Sequence, residues 1–173
     1  SSEINLNGAS GGTFTENGNI HPILPFAGDN IIEGRYGNSI RFGNTSKIDA
    51  SITNNWSEEG ETGSPITILR NGQDPEIEPP GWIPTVEDIN KDLASIYLTS
   101  TQKIPIETSA YNTSAFSDPP EAPEQYIKNQ VILNSGRLLF NTNEDSIIIS
   151  SQKNVSINAD KEIGISGEDN VTI

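Results

Sequence analysis

Residues 146–173, at the end of the chain, read SIIISSQK, NVSINADK, EIGISGED and NVTI, an eight-residue unit that repeats. The second position of the unit holds Ile147, Val155, Ile163 and Val171, and the fourth holds Ile149, Ile157, Ile165 and Ile173. All of these residues are β-branched, which favours strands. The same frame includes Val131 with Leu133, and Leu139 with the polar Asn141. The spacing therefore predicts an octad repeat over residues 130–173.

Each octad is predicted to form one short strand followed by one bend. Two aliphatic residues separated by one position point to the same face of a strand. The residues after them are small or polar, as in Ser150-Ser151 and Asn158-Ala159, and suit a corner. A spacing of two followed by six fits no helical face.

A single octad cannot be stable alone. Its two buried side chains contribute about 1.5–3 kcal/mol each, whereas ordering the backbone costs about 1–2 kcal/mol per residue. A single-chain β-helix with about three octads per coil would complete fewer than two coils here, below the three or so repeats that stacking needs. Three chains that each give one octad per layer would form several layers. Further repeats after Ile173 would weaken this preference for the trimer.

We therefore predict an all-β protein that ends in an elongated, intertwined homotrimeric β-helix or β-prism, with a loop-rich β region before it. The predicted trimer axis is formed by the aliphatic residues Val131, Leu133, Leu139, Ile147, Ile149, Val155, Ile157, Ile163, Ile165, Val171 and Ile173.

Composition and charge limit the classes of partner and of binding site that this protein can have. Only 32% of the chain is hydrophobic, against roughly 45–50% in globular domains, which favours an elongated strand-and-turn protein. The net charge of −14 argues against a nucleic-acid partner, because phosphate binding needs clustered Lys and Arg. The chain has no cysteine, which excludes disulfides and thiolate metal sites. It begins at Ser1 and contains no methionine, so we expect it to be a piece of something longer.

The chain divides into three predicted regions: an extended N-terminal arm at 1–30, a loop-decorated β region at 31–129, and the octads at 130–173. In the middle region an aliphatic–any–apolar core recurs at residues 40–42, 66–68 and 96–98, and it returns at 131–133. Two interpretations remain open for these strands. They are either layers of the same prism, widened by inserted loops at 44–64, 72–94 and 107–129, or a separate small β-barrel.

Two loops carry local signals. Residues 84–93 predict a short helix, with Thr85 as N-cap and Val86, Ile89 and Leu93 on one face. The proline-rich segment at 118–123 predicts a stiff, polyproline-like spacer, with a solvated linker as the alternative for its loop.

The octads resemble the C-terminal triple-stranded β-helix of the central spike of contractile-tail phages and of related secretion-system spikes. In that family a Val or Ile opens each octad and a Gly often follows two residues later. Gly164 fits this pattern, whereas Ile148-Ile149 and Ser156 depart from it. The upstream segments IEGRYGNSIRFG at 32–43 and SIYLTS at 95–100 are similar to baseplate-hub or spike proteins of marine myophages.

The resemblance runs from about Ile20 to the end, with long gaps in the loops. It implies a structural virion protein of the tail baseplate that scaffolds the hub or penetrates the host envelope. The implied partners are two further copies of the chain, other hub or tube proteins and a spike-tip protein, with transient contact with the host envelope. Family members often carry an N-terminal oligonucleotide/oligosaccharide-binding-type barrel, and some carry a cell-wall hydrolase domain. Neither is clearly present in this chain.

The sequence predicts no enzyme, no cofactor and no metal site. His21 is the sole histidine and is expected at the surface. The acidic cluster at 58–61 lacks the alternating ligand pattern of a calcium loop, and a solvated hairpin tip is the preferred interpretation. Trp56 and Trp82 lie in polar loops, where each either contacts a partner or covers the base of its own loop. If they bind sugar, the alternative function is a trimeric tail fibre or adhesin that holds a surface glycan.

Overall fold

The aliphatic–any–apolar segments of the middle region form the strands of one antiparallel sheet. The structure is a computed structural model that describes residues 19–46, 54, 56, 61–77 and 81–172. Its strands are β1 (Asn30–Glu33), β2 (Asn38–Asn44), β3 (Pro65–Asn71), β4 (Ala94–Leu98) and β5 (Val131–Ser135). The protein is all-β, as the sequence predicts.

The five strands pair in chain order, each antiparallel to the next. The strands predicted at 40–42, 66–68, 96–98 and 131–133 lie in β2 to β5 and pair with one another. In the single chain they are therefore neighbours within one sheet. The sheet is open, with β1 and β5 at its edges, so the described residues do not close a barrel.

Tight turns set the strand register at one end of the sheet. β1 and β2 are joined by Gly34-Arg35-Tyr36-Gly37, in which Gly37 has φ +85°. Gly72 follows β3 with φ +91°, and a Cβ there would lie 2.6 Å from a side-chain atom of Leu93. Both positions therefore require glycine, for backbone conformation and, at Gly72, for space.

The predicted helix at 84–93 is wrong. Thr85 instead forms a parallel bridge with Ile23, which holds the start of the segment extended. Beyond it, the Asp88 amide donates to the Asp92 carboxylate at 3.0 Å, and the Asn90 amide donates to the Asp88 carboxylate at 3.0 Å. Side chains that bond to the backbone in this way compete with helix formation, and a single turn results.

The octad segment after β5 forms no strand between residues 136 and 172 in the single chain. Its first unit, with Val131 and Leu133, is β5 itself and completes the sheet. Side chains in the rest are almost all exposed. Three polar contacts tie it to the preceding loop: Lys153 to Asp118 at 3.1 Å, the Asn154 side chain to the Asp118 carbonyl, and the Asn112 amide to Asn158.

Candidate assembly interface

The two faces of the sheet differ in what covers them. The covered face, which loops of the same chain pack against, carries Ile31, Glu33, Ser39, Arg41, Gly43, Ile66, Ile68, Arg70, Ser95, Tyr97, Ile132 and Asn134. The open face carries Asn30, Ile32, Asn38, Ile40, Phe42, Asn44, Pro65, Thr67, Leu69, Asn71, Ala94, Ile96, Leu98, Val131, Leu133 and Ser135. Most of the covered face is buried, whereas the open face has no fully buried residue.

The covered face holds the hydrophobic core of the chain. Its buried members are Trp56, Ile66, Ile68, Ile89, Tyr97, Ile104 and Ile106, and Val86 and Ile132 pack against them. The loops at 81–93 and 99–107 supply the layer above the strands. This single layer of loops is therefore what stabilises the sheet within one chain.

A buried arginine links the N-terminal segment and the 81–93 loop to this face. The Arg41 guanidinium is fully buried, pairs with Asp29, and donates to both Glu87 carboxylate oxygens at 2.8–3.1 Å. Its Cζ lies 5.6 Å from the ring centroids of Phe26 and Trp56. Burial by itself would lower the pKa of Arg41, but the bonds and charges of Glu87 and Asp29 raise it above the ordinary value. Arg41 therefore stays charged and clamps both segments onto the sheet.

A second buried arginine is less fully paired. Arg70 lies 3.5 Å from Asp92, and its Nε and Nη2 atoms have no partner, like the neighbouring Ser39 and Ser95 hydroxyls. Burial raises the pKa of Asp92 to about 6, although the Arg70 charge opposes the shift. Arg41 and Arg70 thus both pair with acids that lie outside the strands.

The expectation of a surface His21 is wrong, because its side chain is buried. The His21 amide donates to the Gln73 side chain at 2.8 Å, and its ring Nδ1 donates to the Ile83 carbonyl at 2.8 Å. His21 therefore helps to fix the N-terminal segment to the 81–93 loop. Among the described residues, no group of three or more His, Asp and Glu side chains is placed to hold a metal ion.

The open face has a continuous aliphatic row across every strand. Register pairs Ile32 with Ile40, Ile40 with Leu69, Leu69 with Ile96, and Ile96 with Leu133. A second row runs through Phe42, Thr67, Leu98 and Val131. Cross-strand neighbours of this kind present one apolar surface.

The open face is apolar where an isolated soluble chain should be polar. Phe42 is 51% exposed and Ile32 59% exposed, and no strand residue on this face is charged. The covered face, in contrast, buries two arginines. Antiparallel sheets with one solvated face normally place polar residues there, and large exposed apolar patches mark interaction sites.

The apolar surface continues from the sheet into the octads. Leu138, Leu139 and Phe140 follow β5 and, with Ile32, Ile40, Leu69, Ile96 and Leu133, line one open groove of about 720 Å³. Further along, the predicted axis residues remain in water: Ile147, Ile149, Val155, Ile157, Ile163, Ile165 and Val171 are 47–73% exposed. Ile173 lies outside the described residues. The predicted axis residues from Val131 to Val171 thus share exposure to solvent in the single chain.

The two tryptophans have different surroundings. Trp56 is 2% exposed and belongs to the hydrophobic core. A partner could reach it only through a change in the surrounding packing. Trp82 is 76% exposed beside Ile83 and stays accessible to a partner. Of the acidic cluster at 58–61, only Glu61 lies within the described residues.

Sequence reasoning missed the upstream half of this exposed apolar surface, which lies on the open face of the sheet. The available signal was the charged residue inside the strand cores: Arg41 stands between Ile40 and Phe42, and Arg70 follows Leu69. A strand that alternates in this way is expected to turn its arginine to water and its apolar side chains to the core. In β2 the structure does the reverse, and in β3 Arg70 is buried on the same face as Ile66 and Ile68.

Comparison with known proteins gives no relative: no family model, no curated protein and no solved structure matches this chain. In the described part of the chain, no helix has the length and apolar character that crossing a membrane requires.

Proposed function

We propose that this protein is a structural virion component, the homotrimeric shaft of a central spike or hub in the tail baseplate of a contractile-tail phage. The observation that carries the proposal is the octad tail, whose paired β-branched residues from Ile147 to Val171 are 47–73% exposed in a single chain. Burying an aliphatic side chain fully is worth about 1.5–3 kcal/mol. Three chains around a common axis would recover this free energy in every layer.

The trimeric β-helix of this proposal places the axis residues Val131 to Ile173 inside and the octad ends outside. Those ends carry Lys153, Asp160-Lys161 and Glu168-Asp169, so side chains of both charge signs would face the solvent. Dense hydrogen bonding between chains would let the rod bear compressive load. Such a rod, fixed to hub or tube proteins at one end and a tip protein at the other, would scaffold the baseplate or penetrate the host envelope.

The test is the mass and symmetry of the particle. Size exclusion coupled to light scattering should give three times the 18.7 kDa of one chain, and low-resolution imaging should show a three-fold rod. A particle of one chain's mass would overturn the proposal.

A second candidate is a trimeric tail fibre or adhesin that binds a surface glycan, and the exposed Trp82 favours it. A solvent-exposed indole beside the apolar Ile83 is a suitable platform for a sugar ring. Glycan-array binding that is lost on Trp82→Ala would support this candidate, whereas a three-fold rod with no glycan binding would favour the shaft.

A further inference from the structure

We infer that the open face of the sheet packs against a second copy of this chain, so that the interface between copies extends upstream from the octads to all five strands. The inference rests on the proposed function in one respect, that the chain works as an oligomer. It adds a surface that the octad pattern does not contain, since Ile32, Ile40, Phe42, Leu69, Ile96 and Leu98 precede the repeat.

The first argument is charge. One fifth of the residues are charged and the net charge is −14, yet the strand residues of the open face include no charged side chain. Two copies of so acidic a chain repel each other wherever their acidic surfaces meet. The open face is a broad surface on which two copies can approach without burying like charges, so a second copy suits it better than an acidic or basic partner would.

The second argument is continuity. Val131 and Leu133 belong both to the octad frame and to the open face, because β5 is the first octad and the last strand. Leu138 to Phe140 extend the same groove toward the rest of the tail. If copies meet along the octads, the direct continuation of that contact is the sheet face next to it.

The third argument is the covering of the other face. The loops at 81–93 and 99–107 and the segment at 19–29 already pack on it, with Arg41 and Arg70 paired beneath them. The sheet therefore lies between a layer made by its own chain and, on the open side, a layer made by a second copy. The loops then lie on the outside of the assembly, and Trp82 and Ile83 with them.

The absence of cysteine makes a direct test simple, because one introduced thiol is the only one in the chain. Phe42 on the open face and Ile83 on the loop layer are both 51% exposed in the single chain, which makes them a matched pair. We expect Phe42→Cys in the native particle to react with a thiol reagent about tenfold or more slowly than Ile83→Cys. When Ile157→Asp is added to break the tail contact, the two thiols should react at similar rates.

Each other outcome has a definite meaning. Equal reactivity in a particle of three chains would overturn the inference and leave the proposed trimer intact, whereas a particle of one chain would overturn both. A Phe42→Cys thiol that stays protected in a single chain would show that another segment of the same chain covers the open face, which also overturns the inference. If Phe42→Cys itself fails to fold, Thr67→Cys in the same cross-strand row serves instead.

Discussion

Arg41 shows how single residues decide which way this sheet faces. A buried arginine is stable only when its charge is neutralised and its donors are satisfied. Asp29, Glu87 and the Leu24 carbonyl provide this, and the Phe26 and Trp56 rings provide contacts at cation–π distance. The two acids come from separate segments of the chain, and Arg41 holds both of them on one face of the sheet. The Arg70–Asp92 pair adds a second link to the 81–93 loop on the same face.

Arg41→Met should destabilise the fold strongly, by about 3–5 kcal/mol, because it leaves two buried carboxylates unpaired. Asp29 and Glu87 side chains are at most 1% exposed, so water cannot replace the lost partner. The measurement is the melting temperature at fixed protein concentration. Arg137→Met, at an exposed position, is the control and should change stability by less than about 0.5 kcal/mol. A melting temperature for Arg41→Met equal to that of the control would contradict the role of Arg41 in holding the two segments on the sheet.

The buried carboxyl group of Asp92 predicts that the free energy of unfolding depends on pH. Burial raises its pKa to about 6 from 3.8, and the Glu87 charge adds to the shift, while the Arg70 charge and the hydrogen bond from the Asp88 backbone oppose it. The folded protein therefore holds this proton more tightly than the unfolded chain does. The stabilisation is present below about pH 4 and is lost as pH rises to about 6. Relative to wild type, Asp92→Asn should gain about 2–3 kcal/mol in unfolding free energy between pH 4 and 7.

Unfolding of both proteins across this pH range checks the Asp92 prediction. Asp118→Asn is the control, because Asp118 and its partner Lys153 are both more than 75% exposed, and it should follow the wild type. Parallel pH curves for Asp92→Asn and wild type would show that the carboxyl titrates alike in the folded and unfolded states.

At the scale of elements, the strands of the sheet and the octads differ in where their hydrogen-bonded neighbours come from. The strands of the sheet obtain hydrogen-bonded neighbours from their own chain through antiparallel pairing with β2, β3 and β4 at the centre. The octads after β5 have none, since each presents two aliphatic side chains and then a bend. In the proposed trimer the other two chains would supply these neighbours, in keeping with the lack of strand between residues 136 and 172 of the single chain.

Ile157→Asp tests the octads directly. It would place three carboxylates on a dry axis and should prevent assembly, while the chain's own fold should persist because Ile157 is 65% exposed in the single chain. Ser156→Asp is the matched control, since adjacent residues of a strand point to opposite faces. Light scattering gives the particle mass, and circular dichroism checks the fold. A wild-type mass for Ile157→Asp would mean that the axis lies elsewhere.

At the scale of the whole molecule, charge and apolar surface are separated in space. The chain has 24 acidic residues and 10 basic ones, yet the open face has none of either among its strand residues. Repulsion between copies then acts everywhere except along this face and the tail aliphatics. The distribution favours a defined assembly over nonspecific association.

The sequence alone predicted the cores of β2 to β5, because which side chains share a face of a strand depends only on neighbours a few residues apart. It also predicted the all-β class. It did not single out β1, and the strands that it predicted for the octads after β5 are absent between residues 136 and 172 of the single chain. The helix at 84–93 was wrong, because Asp88 and Asp92 bind the backbone that a helix would use.

Only the tertiary structure decided which face of the sheet the chain covers itself. That choice depends on Arg41 meeting Asp29 and Glu87, which lie 12 and 46 residues away along the chain. The local sequence pattern does not predict these ion pairs. The alternation of apolar and charged residues along β2 would by itself place Ile40 and Phe42 toward the core. Long-range ion pairing at a buried site therefore turned β2 against its own alternation and left Ile40 and Phe42 on the open face.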